Sequence, residues 1–324
     1  MPRSTTALTT PVLFLLFNRP EPSRRVFETI KLAQPSHLFV AADGPRDHVE
    51  GEKERCEQAR AVIDAVDWDC EVKVLFRDEN LGCGVAVSSA ISWFFDQVEE
   101  GIILEDDCMA HPAFFGYCQD LLEAHRVDRR VMMIGGTNFL PEEQQKIKKA
   151  HFSRCPMVWG WATWRSAWKL YDKSMSQLPD LIRSGKWKGL HEDTAALYYW
   201  MRCFCKCVEI DTWDYQWFYS ILVNDGIVAN AGVNLIQNIG IGEDSTHTSN
   251  GYAPILTDIE EKDFLALPVT SDLIVDEKFD HMMHDRIYDV YLNSRSSALV
   301  RWWKMARKKK KTERLMRGYV SRLG

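Results

Sequence analysis

GIILEDDC, residues 101–108, sets three acidic residues directly after a short apolar run. Residues 102–104 are typical of a strand buried on both faces of a parallel sheet. Adjacent carboxylates repel one another, and burying them is costly unless something positive lies between them. Glu105, Asp106 and Asp107 therefore indicate a place for a metal ion, a basic side chain or water at the end of this strand.

Three similar apolar runs precede this one, and helical patterns separate all four. The runs are PVLFLLF (11–17), HLFVAA (37–42) and EVKVLF (71–76), and the helical patterns are PEPSRRVFETIKLA, EGEKERCEQARAVIDAV and GVAVSSAISWFFDQV. Repeated β-α-β units predict an α/β fold with a mostly parallel sheet flanked by helices. Ligands bind at the carboxyl ends of such strands, so we expect four polar loops to meet beside the acidic triplet.

The rest of the chain is less regular but shows no repeat and no linker before residue 300. RVMMIGG (130–136) predicts a further strand, and two helices are predicted in DTAALYYWMRCFCKCVE and TWDYQWFYSILVNDG. The sequence thus predicts one continuous domain over residues 1–300. Within it we distinguish a sheet-forming half at about 10–135 and an aromatic half at 136–300.

Composition agrees with a globular protein, since 46% of the 324 residues are hydrophobic and 27% are charged. Nine cysteines without an N-terminal apolar segment predict reduced thiols and a cytoplasmic location. No stretch approaches the roughly 20 apolar residues needed to span a bilayer.

Residues 301–324 form a basic, aromatic tail. They hold ten Lys or Arg against one Glu, so a net charge of -6 for the whole chain leaves -15 on residues 1–300. Basic residues mixed with Trp302, Trp303 and Tyr319 predict peripheral attachment to an anionic membrane surface, at its cytoplasmic face. A solvated tail is the alternative, whereas nucleic acid is not expected because nothing else resembles a nucleic-acid-binding fold.

No glycine-rich phosphate loop follows the first apolar run, which argues against P-loop NTPases and dinucleotide oxidoreductases. Mg²⁺ and Mn²⁺ prefer carboxylate oxygens and leave coordination sites for phosphate. The triplet therefore suits a nucleotide diphosphate held through a divalent metal ion.

Four motifs in this order resemble the nucleotide-sugar-binding half of GT-A glycosyltransferases, which have a Rossmann-like sheet. They are PVLFLLFNRPEPSRRVFETI, FVAADGPRD, NLGCGVAVSSAISWFF and GIILEDDC, and the resemblance covers roughly residues 10–250. Within the family the chain is most similar to N-acetylglucosaminyltransferase I and its bacterial relatives, whose D-x-D motif has an E-D-D form. The resemblance implies an inverting hexosyl or N-acetylhexosaminyl transfer in glycan or envelope polysaccharide synthesis. The donor would be a nucleotide-diphosphate sugar, with a UDP-sugar expected, and the acceptor a glycan or lipid-linked hydroxyl.

The resemblance also implies roles on the donor side. Asp107 would be the direct ligand of Mn²⁺ or Mg²⁺, with Asp106 and Glu105 near the sugar or ribose. A late histidine completes the metal site in many GT-A enzymes, and His247 in IGIGEDSTHT is the candidate.

Four further residues would bind the nucleotide. Arg19 in FNRP and Asp43 in AADGP would contact it, Asp43 by accepting a hydrogen bond from the base. Asn80 and Gly82 in NLGCG would fix the adjacent loop, where the mammalian enzyme has a histidine nearby.

For the acceptor side, TWDYQW is similar to the segment that carries the catalytic base, which selects Asp214. VWGWATW would form a wall of the sugar pocket, with Trp161 as the residue that stacks on a sugar face. The tryptophans assigned to this pocket are Trp159, Trp161, Trp164, Trp213 and Trp217.

Structural alternatives exist for each of these residues. The triplet could be an acidic turn that caps the following helix, and Asp214 could be a helix N-cap. The tryptophans could be core residues, His247 a loop residue, and Arg19 and Asp43 partners of other charges. Two other classes of protein also remain, a sugar nucleotidyltransferase and a catalytically idle glycan-binding protein on the same scaffold.

Overall fold

An eight-stranded, mostly parallel sheet forms the centre of the protein. The computed structural model describes residues 8–140, 142–145, 150–240, 256, 273–288 and 298–322. The strands are β1 (Val12–Leu16), β2 (His37–Ala42), β3 (Glu71–Phe76), β4 (Glu100–Glu105), β5 (Cys108–Ala110), β6 (Val131–Gly135), β7 (Ala150–Ser153), β8 (Trp161–Trp164), β9 (Ile227–Ala231) and β10 (Ile236–Asn238). The order in the main sheet is β3-β2-β1-β4-β8-β6-β9-β7, and β5 pairs with β10 in a separate ribbon.

Helices cover both faces of this sheet. They are α1 (Pro20–Ala33), α2 (Glu52–Arg60), α3 (Cys83–Phe95), α4 (Ala113–His125), α5 (Arg165–Trp168), α6 (Leu178–Ser184), α7 (Thr194–Cys207), α8 (Asp214–Val223), α9 (Glu277–Tyr288) and α10 (Ala298–Ser321). The predicted α/β architecture with a mostly parallel sheet is therefore confirmed. Only β7 and β8 run antiparallel to their neighbours in the main sheet as described.

Alternate residues of β1 show how the sheet divides the core. Val12, Phe14 and Leu16 pack with α1 and α4 in one hydrophobic cluster. Leu13 and Leu15 point to the other face, into a cluster that includes α3, α7 and α8. Burial of both faces explains why the sequence of this strand is continuously apolar rather than alternating.

β3 is the exception among the four predicted strands, because it is the edge of the sheet. Its residues are exposed or half-buried, and Val74 is exposed. The expectation that this strand is buried on both faces is wrong. An edge strand has a neighbour on one side only, and the charged Glu71 and Lys73 suit that position.

α9 ties together elements that are far apart in sequence. His151 of β7 bonds Asp276 just before the helix, with 2.8 Å between Nδ1 and Oδ2. Asp280 accepts hydrogen bonds from the Ser153 hydroxyl and from the Arg154 backbone N–H. His284 is fully buried, and its Nε2 accepts a hydrogen bond from the Trp200 indole N–H of α7 at 3.0 Å.

We expect His284 to make the protein less stable as the pH falls from about 6.5 to 4. Burial, reinforced by the charge of His191, lowers the pKa of His284 from 6.5 to about 4, although Asp193 and the backbone of Asp280 oppose this. Between these pH values the unfolded chain binds a proton that the folded chain does not bind. The free energy of unfolding should therefore fall by roughly 3 kcal/mol over this range, as measured by urea denaturation at several pH values.

The matched control is His284→Gln, because the glutamine carbonyl also accepts from Trp200 but does not titrate. This variant should lose most of the extra slope and keep the part due to His191, whose pKa is also lowered by burial. An unchanged slope in the variant would contradict the assignment to His284.

The basic segment at 301–324 differs from the expected tail, because most of it belongs to a helix that packs on the domain. Thr312, Met316 and Tyr319 are buried in α10, and the last two belong to the same hydrophobic cluster as α7 and α8. The hydroxyl of Tyr198 in α7 donates to the carboxylate of Glu313 at 2.7 Å. Within the ranges described above, no helix has the length and apolar character needed to cross a bilayer.

Candidate active site

A cavity of about 1040 Å³ opens at the carboxyl ends of β1, β2, β3 and β4, where the sequence predicted that the loops would meet. Residues of both predicted halves line it. The predicted site residues among them are Arg19, Asp43, Asn80, Gly82, Glu105, Asp106, Asp107, Trp159, Trp213 and Asp214.

Arg19 is the positive partner of the acidic triplet. It is the residue before α1, so β1 delivers its side chain to the end of neighbouring β4. The guanidinium forms a bidentate ion pair with Asp106 and also contacts Asp107, at 3.0 Å between Nη1 and Oδ2. The Asp106 side chain is 4% exposed and that of Asp107 is 15% exposed, so Asp107 is the more accessible acid.

The arrangement explains how three adjacent acids fit in one place. Burial, followed by the charges of Asp107 and Asp106, raises the pKa of Glu105 well above its usual value. Burial also raises the pKa of Asp106, although the charge of Arg19 opposes it. Burial would lower the pKa of Arg19, but the two aspartates outweigh that effect and raise it. The triplet is not the acidic cap of α4, because β5 lies between them.

Gly240 covers the Arg19–Asp107 pair from the other side. The backbone N–H of Ile239 donates to the Asp107 carbonyl at 2.8 Å, which holds the chain after β10 close to the acid. A Cβ at position 240 would collide with the Asp107 carboxylate and the Arg19 guanidinium. Glycine at this position therefore allows the backbone to approach the charged group.

Asp43 organises the adjacent loop. Its carboxylate accepts hydrogen bonds from the backbone N–H groups of Leu81 and Gly82 and from the Asn80 amide, all at 3.0–3.1 Å. Burial raises the pKa of Asp43, and these N–H bonds oppose the shift. Both oxygens of the side chain predicted to bind the base thus accept hydrogen bonds from the loop at residues 80–82.

Asp211, which sequence reasoning missed, joins the two predicted halves. Its carboxylate accepts a hydrogen bond from the Gly84 N–H at 2.8 Å and so caps the N-terminus of α3 from a distant part of the chain. Gly82, which precedes α3, has a φ of +78° and lacks a side chain of its own for capping. A Cβ at this glycine would also collide with the Asp211 carboxylate.

Asp214 begins α8 and lines the cavity three residues after Asp211. One carboxylate oxygen, Oδ1, accepts from the Thr212 hydroxyl and, at 2.9 Å, from the Tyr215 N–H. These bonds fix the side chain. Asp214 therefore lies in the first turn of the helix and also lines the cavity. The charge of Asp214 also contributes to the raised pKa of Glu105, so the two carboxylates lie close enough to interact.

Four of the five tryptophans assigned to a sugar pocket are buried. Trp161 and Trp217 have no exposed surface, Trp213 is 3% exposed and Trp164 is 5% exposed. The Trp161 ring lies 5.7 Å from that of Trp213 and 5.8 Å from that of Trp217, centroid to centroid. The prediction that Trp161 stacks on a sugar is therefore wrong, because β8 lies between β4 and β6 and is covered on both faces. Trp159 and Trp213 do line the cavity.

The carboxylates fit a divalent ion only if phosphate completes its coordination. In the described part of the chain, no three His, Cys, Asp or Glu side chains are grouped so that they could hold a metal. Asp106 is held by Arg19 in a bidentate ion pair, so Glu105 and Asp107 are the carboxylates at the cavity that would be available to a divalent ion. One or two carboxylates with substrate phosphates is a common way of binding Mg²⁺. His247, the other predicted ligand, lies outside the described residues.

Further basic residues line the cavity without having been singled out. Arg46 pairs with the buried Glu52, and Arg77 donates to the Ser89 hydroxyl at 2.6 Å. Both residues follow predicted strands, so their positions in the sequence could have identified them. Arg286 of α9 also lines the cavity, but it is far along the chain from the predicted strands and no local pattern identifies it.

No family model matches this chain, and no curated protein does so significantly. Several solved structures can be superposed on part of it. TarS residues 1–349 from S. aureus align at a TM-score of 0.42 with 8% identity, over 70% of this chain and 59% of that one. The inositol-1-phosphate CTP transferase from T. maritima gives 0.36 with 9% identity, over 69% and 86%. The UTP-bound UGPase from Acinetobacter baumannii gives 0.33 with 7% identity, over 69% and 85%. Similarity at this level does not indicate a function, which has to be inferred from the chain's own residues.

Proposed function

We propose that the protein is a metal-dependent glycosyltransferase that moves a sugar, with inversion, from a nucleotide-diphosphate sugar to an acceptor hydroxyl. The observation that carries the proposal is the placing of two different carboxylate groups in one cavity. Glu105, Asp106 and Asp107 lie with Arg19 at the end of β4, and Asp214 lies at the start of α8. From the motif resemblance, we propose a UDP-sugar as the donor and a glycan or lipid-linked hydroxyl as the acceptor.

Each group has a distinct task in such a transfer. Asp214 accepts the proton of the acceptor hydroxyl as that oxygen bonds to the anomeric carbon of the donor sugar. The bond from the anomeric carbon to the phosphate oxygen breaks at the same time, and the nucleoside diphosphate leaves with the electron pair. The hydrogen bonds from Thr212 and Tyr215 hold Asp214 Oδ1 in place, which favours attack from a fixed direction.

The donor end of the cavity supplies the binding groups. Glu105 and Asp107 would hold Mn²⁺ or Mg²⁺, which when bound neutralises charge on the diphosphate. Arg19 keeps Asp106 and Asp107 in one orientation through its two ion pairs. The Asp43-braced loop at residues 80–82 forms the wall beside the nucleotide.

Product analysis tests the proposal against its rivals. We would incubate the full chain with Mn²⁺ and a panel of UDP-, GDP- and dTDP-sugars, without acceptor, and separate the products by chromatography. A glycosyltransferase slowly hydrolyses its donor, because water takes the place of the acceptor, and releases nucleoside diphosphate and free sugar. We expect this with one nucleotide family, and EDTA should slow it by at least about 100-fold.

Two parallel reactions distinguish the other classes. Release of pyrophosphate from a nucleoside triphosphate and a sugar 1-phosphate would show a nucleotidyltransferase and overturn the proposal. No turnover of any donor, combined with stabilisation by glycans alone, would show a glycan-binding protein and overturn it as well.

A further inference from the structure

One face of α10 carries a row of basic residues. Among the side chains described on this helix, six basic ones are exposed to solvent: Lys304, Arg307, Lys310, Lys311, Arg314 and Arg317. At 100° per residue they fall within about 140° of the helix circumference. From Lys304 to Arg317 the face is about 20 Å long. We call these six residues the cationic face.

Packing on the domain fixes the direction in which this face points. Thr312, Met316 and Tyr319 lie on the opposite side of the helix and are buried. Arg322, at the end of the helix, pairs with Glu209, with 2.9 Å between Nη1 and Oε1. The helix therefore presents its charges on a fixed backbone, so little backbone order must be gained on binding.

We propose that the cationic face docks on an anionic lipid surface. Each Lys or Arg close to such a surface strengthens binding by about fivefold, so a row of six gives appreciable binding without an inserted anchor. At the described side chains the contact would be electrostatic, because Tyr319 and Met316 are buried in the core and Leu315 packs against it. Tyr319, one of the aromatic residues that the sequence predicted at the membrane surface, is therefore not available for that contact.

Two observations favour lipid over nucleic acid. A nucleic-acid site would read base edges or stack on bases, whereas the six side chains of this face are all Lys or Arg and include no aromatic residue. Residues 1–300 carry a net charge of -15, which repels a polyanion that folds around the protein. A lipid surface needs only one flat row of contacts.

The test is co-sedimentation of the full chain with vesicles. We would compare vesicles of phosphatidylcholine with about 30% phosphatidylglycerol against vesicles of phosphatidylcholine alone, at about 0.1 M salt. We expect binding to the anionic vesicles only, and we expect about 0.5 M salt to remove it, because screening shortens the reach of the charges.

A charge-matched pair of variants locates the contact. In the first variant Lys304, Lys310, Lys311, Arg314 and Arg317 become Gln, which is a good helix former, so the fold should be kept. In the control the same number of exposed lysines elsewhere becomes Gln: Lys53, Lys169, Lys173, Lys186 and Lys188. We expect the first variant to lose at least about 100-fold in vesicle binding and the control less than about threefold.

Three outcomes would overturn the proposal. One is an equal loss of vesicle binding in the two variants, which would show that binding depends only on the net charge of the protein. Another is equal binding to neutral vesicles. The third is tighter binding to single-stranded RNA or duplex DNA than to anionic vesicles, which would assign the face to nucleic acid. Circular dichroism and thermal unfolding of both variants show that any loss occurs in a folded protein.

Discussion

Replacing Asp214 by asparagine is expected to reduce the turnover of sugar transfer by about 10³-fold, which is typical for the loss of a general base. The asparagine carbonyl keeps the shape of the side chain and accepts the same hydrogen bonds from Thr212 and Tyr215. The variant should therefore fold normally and bind the donor with unchanged affinity. The measurement is steady-state kinetics at saturating donor, together with calorimetric titration of the nucleoside diphosphate.

Asp180→Asn is a suitable control, because Asp180 also lies in the first turn of a helix but is exposed and pairs only with Arg183 in the described structure. It should retain full turnover. A loss of less than about tenfold in Asp214→Asn would show that another group takes the proton. An equal loss of donor affinity in that variant would instead place Asp214 in donor binding.

Asp107→Asn is expected to weaken binding of the nucleoside diphosphate in Mn²⁺ by about 100-fold or more, because one of two carboxylate ligands is lost. The carbonyl of the new side chain would still accept from Arg19, and Asp106 keeps its own ion pair with that residue. The loss should therefore appear only in the metal-dependent part of binding. Calorimetric titration with Mn²⁺ and with EDTA separates the two parts.

Glu100→Gln provides the comparison on the same strand. Glu100 lies at the opposite end of β4, where it pairs with Arg126 at 2.7 Å, so its loss also removes an ion-paired carboxylate. Nucleotide binding by this variant should be unchanged. If Asp107→Asn bound as tightly as the wild type in Mn²⁺, the metal would be held by other residues and the assignment of Asp107 would be wrong.

Local patterns were sufficient to predict which strand ends and loops meet at the cavity. A parallel strand that is buried on both faces has a continuously apolar sequence, so it can be recognised from its composition. The polar residue that follows it must lie at the carboxyl end of the strand, where ligands bind. Arg19 and Asp107 were found in this way from the ends of the first and fourth runs. That they pair with each other depends on β1 and β4 being neighbours, which follows from the strand order.

Properties that depend on packing between distant segments were not predictable. A tryptophan in the core and one that faces a ligand have the same sequence signal, so Trp161 was assigned wrongly. Asp43 follows its strand as a binding residue would, yet the loop at 80–82 takes both of its oxygens. Asp211 caps a helix that begins at Cys83, far earlier in the chain, and no local pattern reports such a contact.

The position of β8 determines the order in which the strands can pair while the chain is being synthesised. β4 and β6 do not pair with each other, because β8 lies between them and bonds to both. At about 5–20 residues per second, the ribosome needs several seconds to proceed from Glu105 to Trp164. During that interval the edge of β4 that later pairs with β8 has no neighbour, although β1 to β3 are already available. The unpaired edge makes the nascent chain prone to aggregate in this interval, and a slowly translated stretch between residues 105 and 164 would lengthen the exposure.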